Sequence, residues 1–428
     1  MFSHQKLTLM IGDFAACIGA FYLMSALRFS TFLSRTSSQF KLFAILFVLW
    51  LIIFFIFDLY TARRINPNPR NIGLIIAAMA TNTLLGVVFF YLTSASGISP
   101  KTNLVIVSVC STILIIFWRR ACYLLFTKRF VRKIILIGQS AYLTELADEL
   151  AANPNMGTIV GIYPTIADAP TTVRVDIVIA DGIDPQTLLA YARRCAAQPL
   201  SIFEAYELIL TKIPIELMTQ ERALSYLNSR ATSALYIMYR LFEIIGASVV
   251  LIITFPFMLI GAVAKWAEDG GPIFIKQHRV GKHGKLFTIY KLRSMQALNK
   301  DGSAETNGAV WATAKDPRIT PVGHILRTTH LDEVPQMYNI IKGDLALIGP
   351  RAERPEFVAE LEQQIPYYYL RHTIKPGFTG WAQIKYRYAR SIKDSREKFE
   401  YDLYYLKNKS PLLDIGIVLK TLQIIFTH

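Results

Sequence analysis

The chain has 428 residues, 53% of them hydrophobic and only 18% charged, with a net charge of +15 and a mean hydropathy of +0.34. Soluble domains carry about 25% charged residues, so the composition argues against an ordinary water-soluble enzyme and for an embedded part beside a part that meets an anionic partner. At roughly 100–200 residues per domain the length allows two or three domains.

The first 130 residues offer four apolar stretches, at 7–27, 42–60, 72–92 and 104–125, each near the ~20 residues that a spanning helix needs. The start does not read as a cleavable leader: the opening six residues hold one Lys, Asp13 interrupts the first apolar run, and no small-residue cleavage site follows. With the N-terminus inside, the inner segments hold ten basic residues (Lys6; Arg63, Arg64, Arg70; Arg119, Arg120, Lys128, Arg129, Arg132, Lys133) against four outside (Arg28, Arg35, Lys41, Lys101). That asymmetry predicts that everything after residue 130 is cytoplasmic.

Between 131 and 228 the pattern changes. The runs at 133–138 and 175–180 predict buried strands and 142–152 a helix, hence a small parallel sheet in a Rossmann-like middle domain. Of a dinucleotide fingerprint only Gly138 is present, so NAD binding is a weak expectation and a structural or regulatory module the stronger one. Cys17, Cys110 and Cys122 lie in or beside apolar segments and Cys195 stands alone, which suggests no disulfide framework. His324 and His330 lack partners at metal-ligand offsets.

A fifth apolar stretch, 241–263, lies between Arg240 and Lys265 and contains Pro256. Proline there removes the hydrogen bond to the Ile252 carbonyl and predicts a kink. Read locally, the stretch either crosses the bilayer or enters and turns back.

Polar motifs crowd the remainder. Residues 271–281 and 287–295 predict hairpin strands around a glycine-rich turn at 281–284. Lys291 and Arg293, two apart on a strand, face one way and suit a phosphate clamp, although a solvated sheet face explains them too. The adjacent acids Asp332 and Glu333 would project about 100° apart on a helix, so one can attack an electrophile while the other holds a divalent cation. The competing explanation is a capping box at Thr329 with acids in a first helical turn. Arg351 and Arg354 follow a rigid Gly-Pro pair and suit bidentate phosphate recognition; a surface network with Glu353 and Glu356 accounts for them equally. The basic residues form no stripe of the kind that binds nucleic acid. Residues 401–405 and 412–426 supply apolar and aromatic faces read as interfacial helices, and packing against the domain's own core explains them as well.

The motifs KLRSM (291–295), LDEVPQ (331–336), GDLALIGPR (343–351) and KPGFTGW (375–381), in this order and spacing from about residue 240 onward, resemble the bacterial sugar transferase family, the polyprenyl-phosphate glycosyl-1-phosphate transferases. The layout as a whole is similar to the large members. The resemblance implies three domains: a four-helix membrane bundle (1–130), a Rossmann-like, CoA-binding-like domain (131–228), and a C-terminal α/β phosphoglycosyl transferase domain (229–428) with a re-entrant helix at about 237–265. It implies transfer of a sugar-1-phosphate from a UDP-sugar, with a lean towards glucose or galactose, to undecaprenyl phosphate at the cytoplasmic face of a bacterial inner membrane. Asp332 falls on the nucleophile and Glu333 on the Mg2+ ligand. Lys291, Arg293, Arg327, Arg351 and Arg354 fall on positions that bind phosphate or nucleotide, and Asp402 on a further recurrent acid. Arg240 at the helix mouth is placed to meet lipid phosphate, with interfacial snorkelling as the simpler account. Phe255-Pro256 stands where many members have Ser-Pro, leaving Thr254 as the hydroxyl at the kink. Membrane lipids and a second copy of the chain complete the expected partners. From a different class, a non-catalytic membrane scaffold of a polysaccharide assembly complex fits the spans and the incomplete glycine fingerprint.

Overall fold

The computed structural model describes residues 4–28, 32–57, 59–60, 68–93, 101–129, 132–154, 156–227, 233–299, 304, 316–386 and 391–426. The chain forms two compact units, Met1–Leu210 and Thr211–His428. The expected domain boundaries after 130 and 228 fall outside the described residues, as do Arg63 and Arg64 of the charge count.

Four apolar helices open the first unit: α1 (His4–Arg28), α2 (Phe32–Ile56), α3 (Pro69–Thr93) and α4 (Lys101–Arg129). By length and composition Leu7–Arg28, Pro69–Tyr91 and Thr102–Leu124 suffice to cross a membrane, and Phe40–Ile56 is a shorter apolar helix. Helices satisfy every backbone polar group internally, which a hydrocarbon surrounding demands. Phe21, Phe43, Phe47, Trp50 and Phe54 fill the interior, while Leu27, Leu84 and Phe117 turn outward.

The interruption that Asp13 makes in the first apolar run has a structural reason. Its carboxylate is buried against Arg119 of α4, Nη2 to Oδ2 at 2.6 Å and Nε to Oδ1 at 3.3 Å, and Arg119 Nη1 donates to the Leu59 carbonyl at 2.7 Å. A Cβ on the neighbouring Gly12 would stand 1.9 Å from the Trp118 ring, so the glycine lets α1 and α4 close around the pair.

The rest of the unit carries a parallel sheet of order β2-β1-β3-β4, from β1 (Lys133–Ile137), β2 (Thr158–Tyr163), β3 (Ile177–Ala180) and β4 (Gln198–Ser201). Helix α5 (Ala141–Ala152) follows β1, α6 (Pro185–Arg194) follows β3, and α7 (Ile202–Ala205) follows β4. Strands β1 and β3 are central and buried, which is why they read as unbroken apolar runs. Gly138 has φ 133° and sits against Leu143 and Asp181; it serves the turn into α5, which Ser140 caps.

In the second unit, α8 (Gln220–Leu227) precedes α9 (Ser233–Asp269), a helix of 37 residues, about 55 Å long. Helical backbone continues on both sides of Pro256, the residue at which the sequence predicts a kink. The Thr254 hydroxyl donates to the Val250 carbonyl at 2.6 Å. Ala247, Ala262 and Lys265 are buried on the domain side of α9, while Leu241, Ile245, Ile252, Phe255, Ile260 and Trp266 are exposed on the other.

The antiparallel hairpin of β5 (Phe274–Val280) and β6 (Leu286–Leu292) follows in the register Ile275↔Lys291 and Arg279↔Phe287. His283 (φ 56°) and Gly284 (φ 74°) turn it. Helix α10 (Pro321–Thr328) leads through a 3₁₀ turn, Leu331–Glu333, to α11 (Gln336–Lys342). Buried Asn339 of α11 accepts from Tyr290 N at 3.3 Å and donates to the Thr288 carbonyl at 2.7 Å, fastening the free edge of β6. Strands β7 (Ala346–Ile348) and β8 (Gly377–Thr379) pair in parallel. Their glycines are required by closeness: a Cβ on Gly377 would lie 2.0 Å from the Gly349 nitrogen. Helix α12 (Pro355–Gln364) lies between these strands in sequence, and α13 (Trp381–Lys385), α14 (Ile392–Asn408) and α15 (Pro411–Phe426) complete the unit. In α15, Leu413 and Ile417 are buried and Leu412 and Ile415 exposed, the one-sided pattern expected of that segment.

The Asp13–Arg119 pair yields a test. Arg119→Gln leaves a buried carboxylate uncompensated, at a cost of about 3–5 kcal/mol, so the detergent-solubilised variant should unfold at a clearly lower temperature. Asp13→Asn combined with Arg119→Gln should recover most of the loss; an unchanged midpoint for the single variant contradicts a structural role.

Candidate active site

Asp332 and Glu333 lie on the 3₁₀ turn after α10, entered through His330 in the left-handed region (φ 56°). The alternative of acids in the first turn of a capped helix is not what forms. Thr329 ends α10, and its hydroxyl donates back to the Ile325 carbonyl at 2.8 Å. Leu331 packs beside Met258 and Ala262 of α9, so the acidic turn is docked on the helix whose far face is apolar and exposed.

Glu333 Oε1 accepts from Lys291 Nζ at 2.7 Å and from Arg351 Nη2 at 3.4 Å. Burial alone would raise its carboxyl, but the charges of Lys291 and Arg351 outweigh that and hold it well below the usual carboxylate range. Asp332 is 8% exposed. Burial first, and the Glu333 charge second, push its carboxyl up to about 6, against the pull of Lys291, Arg327 and His330. Two adjacent acids thereby acquire different characters: one is a fixed anion in direct contact with Lys291 and Arg351, and the other is governed by its burial and pushed up to about 6.

The other expected site residues divide. Arg327 lies near Asp332 and donates from Nε to Ser294 Oγ at 2.9 Å. Arg354 stands at the start of α12 without a side-chain cap, with its Nε 3.6 Å from Glu356 Oε2. Arg293 is turned away: it is fully buried, grips both carboxylate oxygens of Asp269 at 2.5 Å and donates to the Pro272 carbonyl at 2.6 Å. Strand alternation placed Lys291 and Arg293 on one face, yet only Lys291 reaches the acids. Arg240 spends its guanidinium on the last carbonyls of α11, Ile340 and Ile341, both at 2.7 Å. Pro256 is exposed on the outer side of α9. Asp402 is buried and pairs with Arg371 at 3.0 Å, and burial pushes its carboxyl up to about 6.

Sequence reasoning did not single out Arg371, Arg279, Gln383 or Lys398. Arg371, Gln383, Lys398 and Asp402 line a narrow cleft together with Arg351 and Glu353, and Gln383 Oε1 is buried without a hydrogen-bond partner among the described residues. Arg371 stands four residues before the KPGFTGW motif; that adjacency was the available signal. Among the described residues no three His, Cys, Asp or Glu side chains gather as a metal cage.

Comparison with known proteins matches this unit. Residues 234–428 fit the family described as bacterial sugar transferase. A UDP-N-acetylgalactosamine-undecaprenyl-phosphate N-acetylgalactosaminephosphotransferase of Aeromonas hydrophila is 37% identical over 262 residues, 60% of each chain. A UDP-glucose:undecaprenyl-phosphate glucose-1-phosphate transferase of Escherichia coli K12 is 37% identical over 181 residues, 42% of this chain and 38% of that one. The chain thus spans well under the full length of both. It spans 86% of a sugar transferase of Bacillus subtilis, at 37% identity over 187 residues. A paired acid turn between basic strands and loops, on a segment that this relative shares over most of its length, makes the chain a member of the bacterial sugar transferase family.

Proposed function

We propose that the chain transfers a sugar-1-phosphate from a UDP-sugar to undecaprenyl phosphate in two displacements at phosphorus, initiating a polysaccharide repeat unit such as exopolysaccharide, capsule or O-antigen. The observation that carries this reading is the Asp332–Glu333 turn, with Glu333 held between Lys291 and Arg351. In the first step an Asp332 carboxylate oxygen attacks the sugar-bearing phosphorus, the bond to the bridging oxygen breaks, and UMP leaves. In the second, a phosphate oxygen of undecaprenyl phosphate attacks the phosphorus of the aspartyl intermediate and the carboxylate is released. Lys291, Arg327 and Arg351 offset the charge that collects on the transferred phosphoryl oxygens. Both steps exchange one phosphoryl bond for another, so no net proton is required.

The donor set suits Mg2+, which takes one or two carboxylates and completes its shell with phosphate oxygens and water. Glu333, which the family resemblance puts at the Mg2+ position, would hold it; its contacts with Lys291 and Arg351 fall on Oε1. Bound there, the ion would supply neutralisation of phosphate charge.

The reading places the reaction at the cytoplasmic face of the bacterial inner membrane, as the basic flanks imply, with α9 as a re-entrant element. What supports this is that both ends of α9 are held by one compact unit: Arg240 bonds to Ile340 and Ile341 near one end, and Lys265 bonds to Thr320 at 2.9 Å near the other. A helix that crossed the bilayer would separate those anchors. The parallel sheet of the first unit is read as a Rossmann-like module with a structural or regulatory task.

UMP release across a panel of UDP-sugars with undecaprenyl phosphate tests the chemistry. Glucose and galactose donors belong beside UDP-N-acetylgalactosamine, the donor named for the Aeromonas relative. Wild type should release UMP, and Asp332→Asn should lower the rate by at least about 10³-fold, since the sugar-bearing phosphorus then lacks its carboxylate nucleophile. Full UMP release by Asp332→Asn would falsify the mechanism, and normal polymer initiation in cells carrying only Asp332→Asn/Glu333→Gln favours the scaffold.

Topology is tested separately. In a chain whose native cysteines are replaced, Ala267→Cys should stay unlabelled when intact cells, or spheroplasts of a Gram-negative host, meet a membrane-impermeant thiol reagent, and should label after permeabilisation. Labelling from outside rules out the re-entrant arrangement.

A further inference from the structure

Four consecutive carbonyls between β7 and α12 are each occupied by a donor from another part of the unit. Gly377 N donates to Pro350 O at 2.8 Å, Arg371 Nη2 to Arg351 O at 3.0 Å, Arg279 Nη1 to Ala352 O at 3.0 Å, and Val280 N to Glu353 O at 3.0 Å. Two of these donors are backbone groups of the kind that continue a sheet. The other two are guanidinium groups, and charge-assisted bonds of this type are stronger than amide ones and hold geometry more firmly. Arg371 is 6% exposed. It is fixed from behind by Asp402 at 3.0 Å and from the side by the Tyr368 hydroxyl.

We infer that Arg371, clamped by Asp402, is a positioning residue for the transfer: it sets the backbone of Arg351 and thereby keeps the Arg351 guanidinium at Glu333. The inference rests on the phosphoglycosyl transferase reading and deepens it. The contacts run from Asp402 to Arg371, from Arg371 to the Arg351 carbonyl, and from Arg351 Nη2 to Glu333 Oε1. The Arg351 side chain is 41% exposed, so side-chain packing alone does little to hold it, and the location of its guanidinium follows from where its backbone is pinned. A displacement of about 1 Å in a group that orients a reacting phosphate costs on the order of 10²-fold in rate. Arginine suits 371 because its Nη2 meets both the Asp402 carboxylate and the Arg351 carbonyl while its Nη1 donates to the Tyr368 hydroxyl; an ammonium on a lysine stem is a point donor and does not span that fork. Asp402 accordingly acts through Arg371 and does not bind substrate.

A double-mutant cycle on the full chain in detergent tests this, with the UDP-sugar that wild type turns over fastest and undecaprenyl phosphate. Arg371→Lys should lower kcat/KM for UMP release about 10-fold, with a thermal midpoint close to wild type because the charge facing Asp402 is kept. Arg351→Gln should lower it about 100-fold. The combined variant should be no worse than Arg351→Gln alone, because a positioning residue has nothing left to position. Wild-type kcat/KM in Arg371→Lys, or losses that multiply in the combined variant, overturns the inference while leaving the transferase reading intact. A wild-type chain that releases no UMP from any donor overturns that reading and this inference with it. If Arg371→Lys does not fold, Asp402→Glu goes through the same cycle under the same expectations.

Discussion

One helix has to satisfy two solvents, and most of the second unit is organised by that requirement. Along one side of α9 the small residues Ala247 and Ala262 are buried against α11 and α10, and Arg240 and Lys265 spend their charges on the same unit. Along the other side a continuous apolar surface is left without a protein partner. Such a surface in water would be a large unfavourable exposure, and on the proposed function lipid covers it. Once α9 is fixed at that boundary, Leu331 on its inner side fixes the height of Asp332 and Glu333. On the proposed function, a soluble donor and a lipid acceptor then have a common place to meet.

The excess of positive charge is more divided than a net figure of +15 conveys. Arg119, Arg240, Arg279, Arg293 and Arg371 each donate to a backbone carbonyl elsewhere in the fold. These guanidinium groups act as internal cross-braces, and their charge is absorbed locally by Asp13, Glu243, Glu353, Asp269 and Asp402. On the proposed function, the cations that act on phosphate include Lys291, Arg327 and Arg351 around Asp332 and Glu333.

This division sets the limit of what was legible in the sequence. The four apolar helices, the strands at 133 and 177, the hairpin and the adjacency of the two acids were readable because each rests on local periodicity or on neighbours in sequence. Edge strands β2 and β4 were not, since partial exposure breaks the apolar run on which that reading depends. The bond from Arg293 to Asp269 could not be read from the sequence, because Asp269 lies 24 residues away at the end of another helix. Arg240 was placed at a lipid mouth for the same reason, its carbonyl partners being 100 and 101 residues distant. Arg371 left no periodic trace, because a single buried arginine on a short 3₁₀ stretch belongs to no repeating face.

The hairpin of β5 and β6 carries a further consequence. Its register places Arg279 and Lys291 on one face of the ribbon, four residues apart measured along the strands, or roughly 13 Å. At one end Arg279 holds the Ala352 carbonyl, and at the other Lys291 holds Glu333. The ribbon therefore works as a gauge that fixes the spacing between two loops with no other common support in sequence. Side chains alternate with a period of two, so one residue inserted in either strand would turn one of these cations to the opposite face, whereas length added at the 282–284 turn would leave the gauge unaltered. Tolerance to insertion in this segment should thus be confined to its tip.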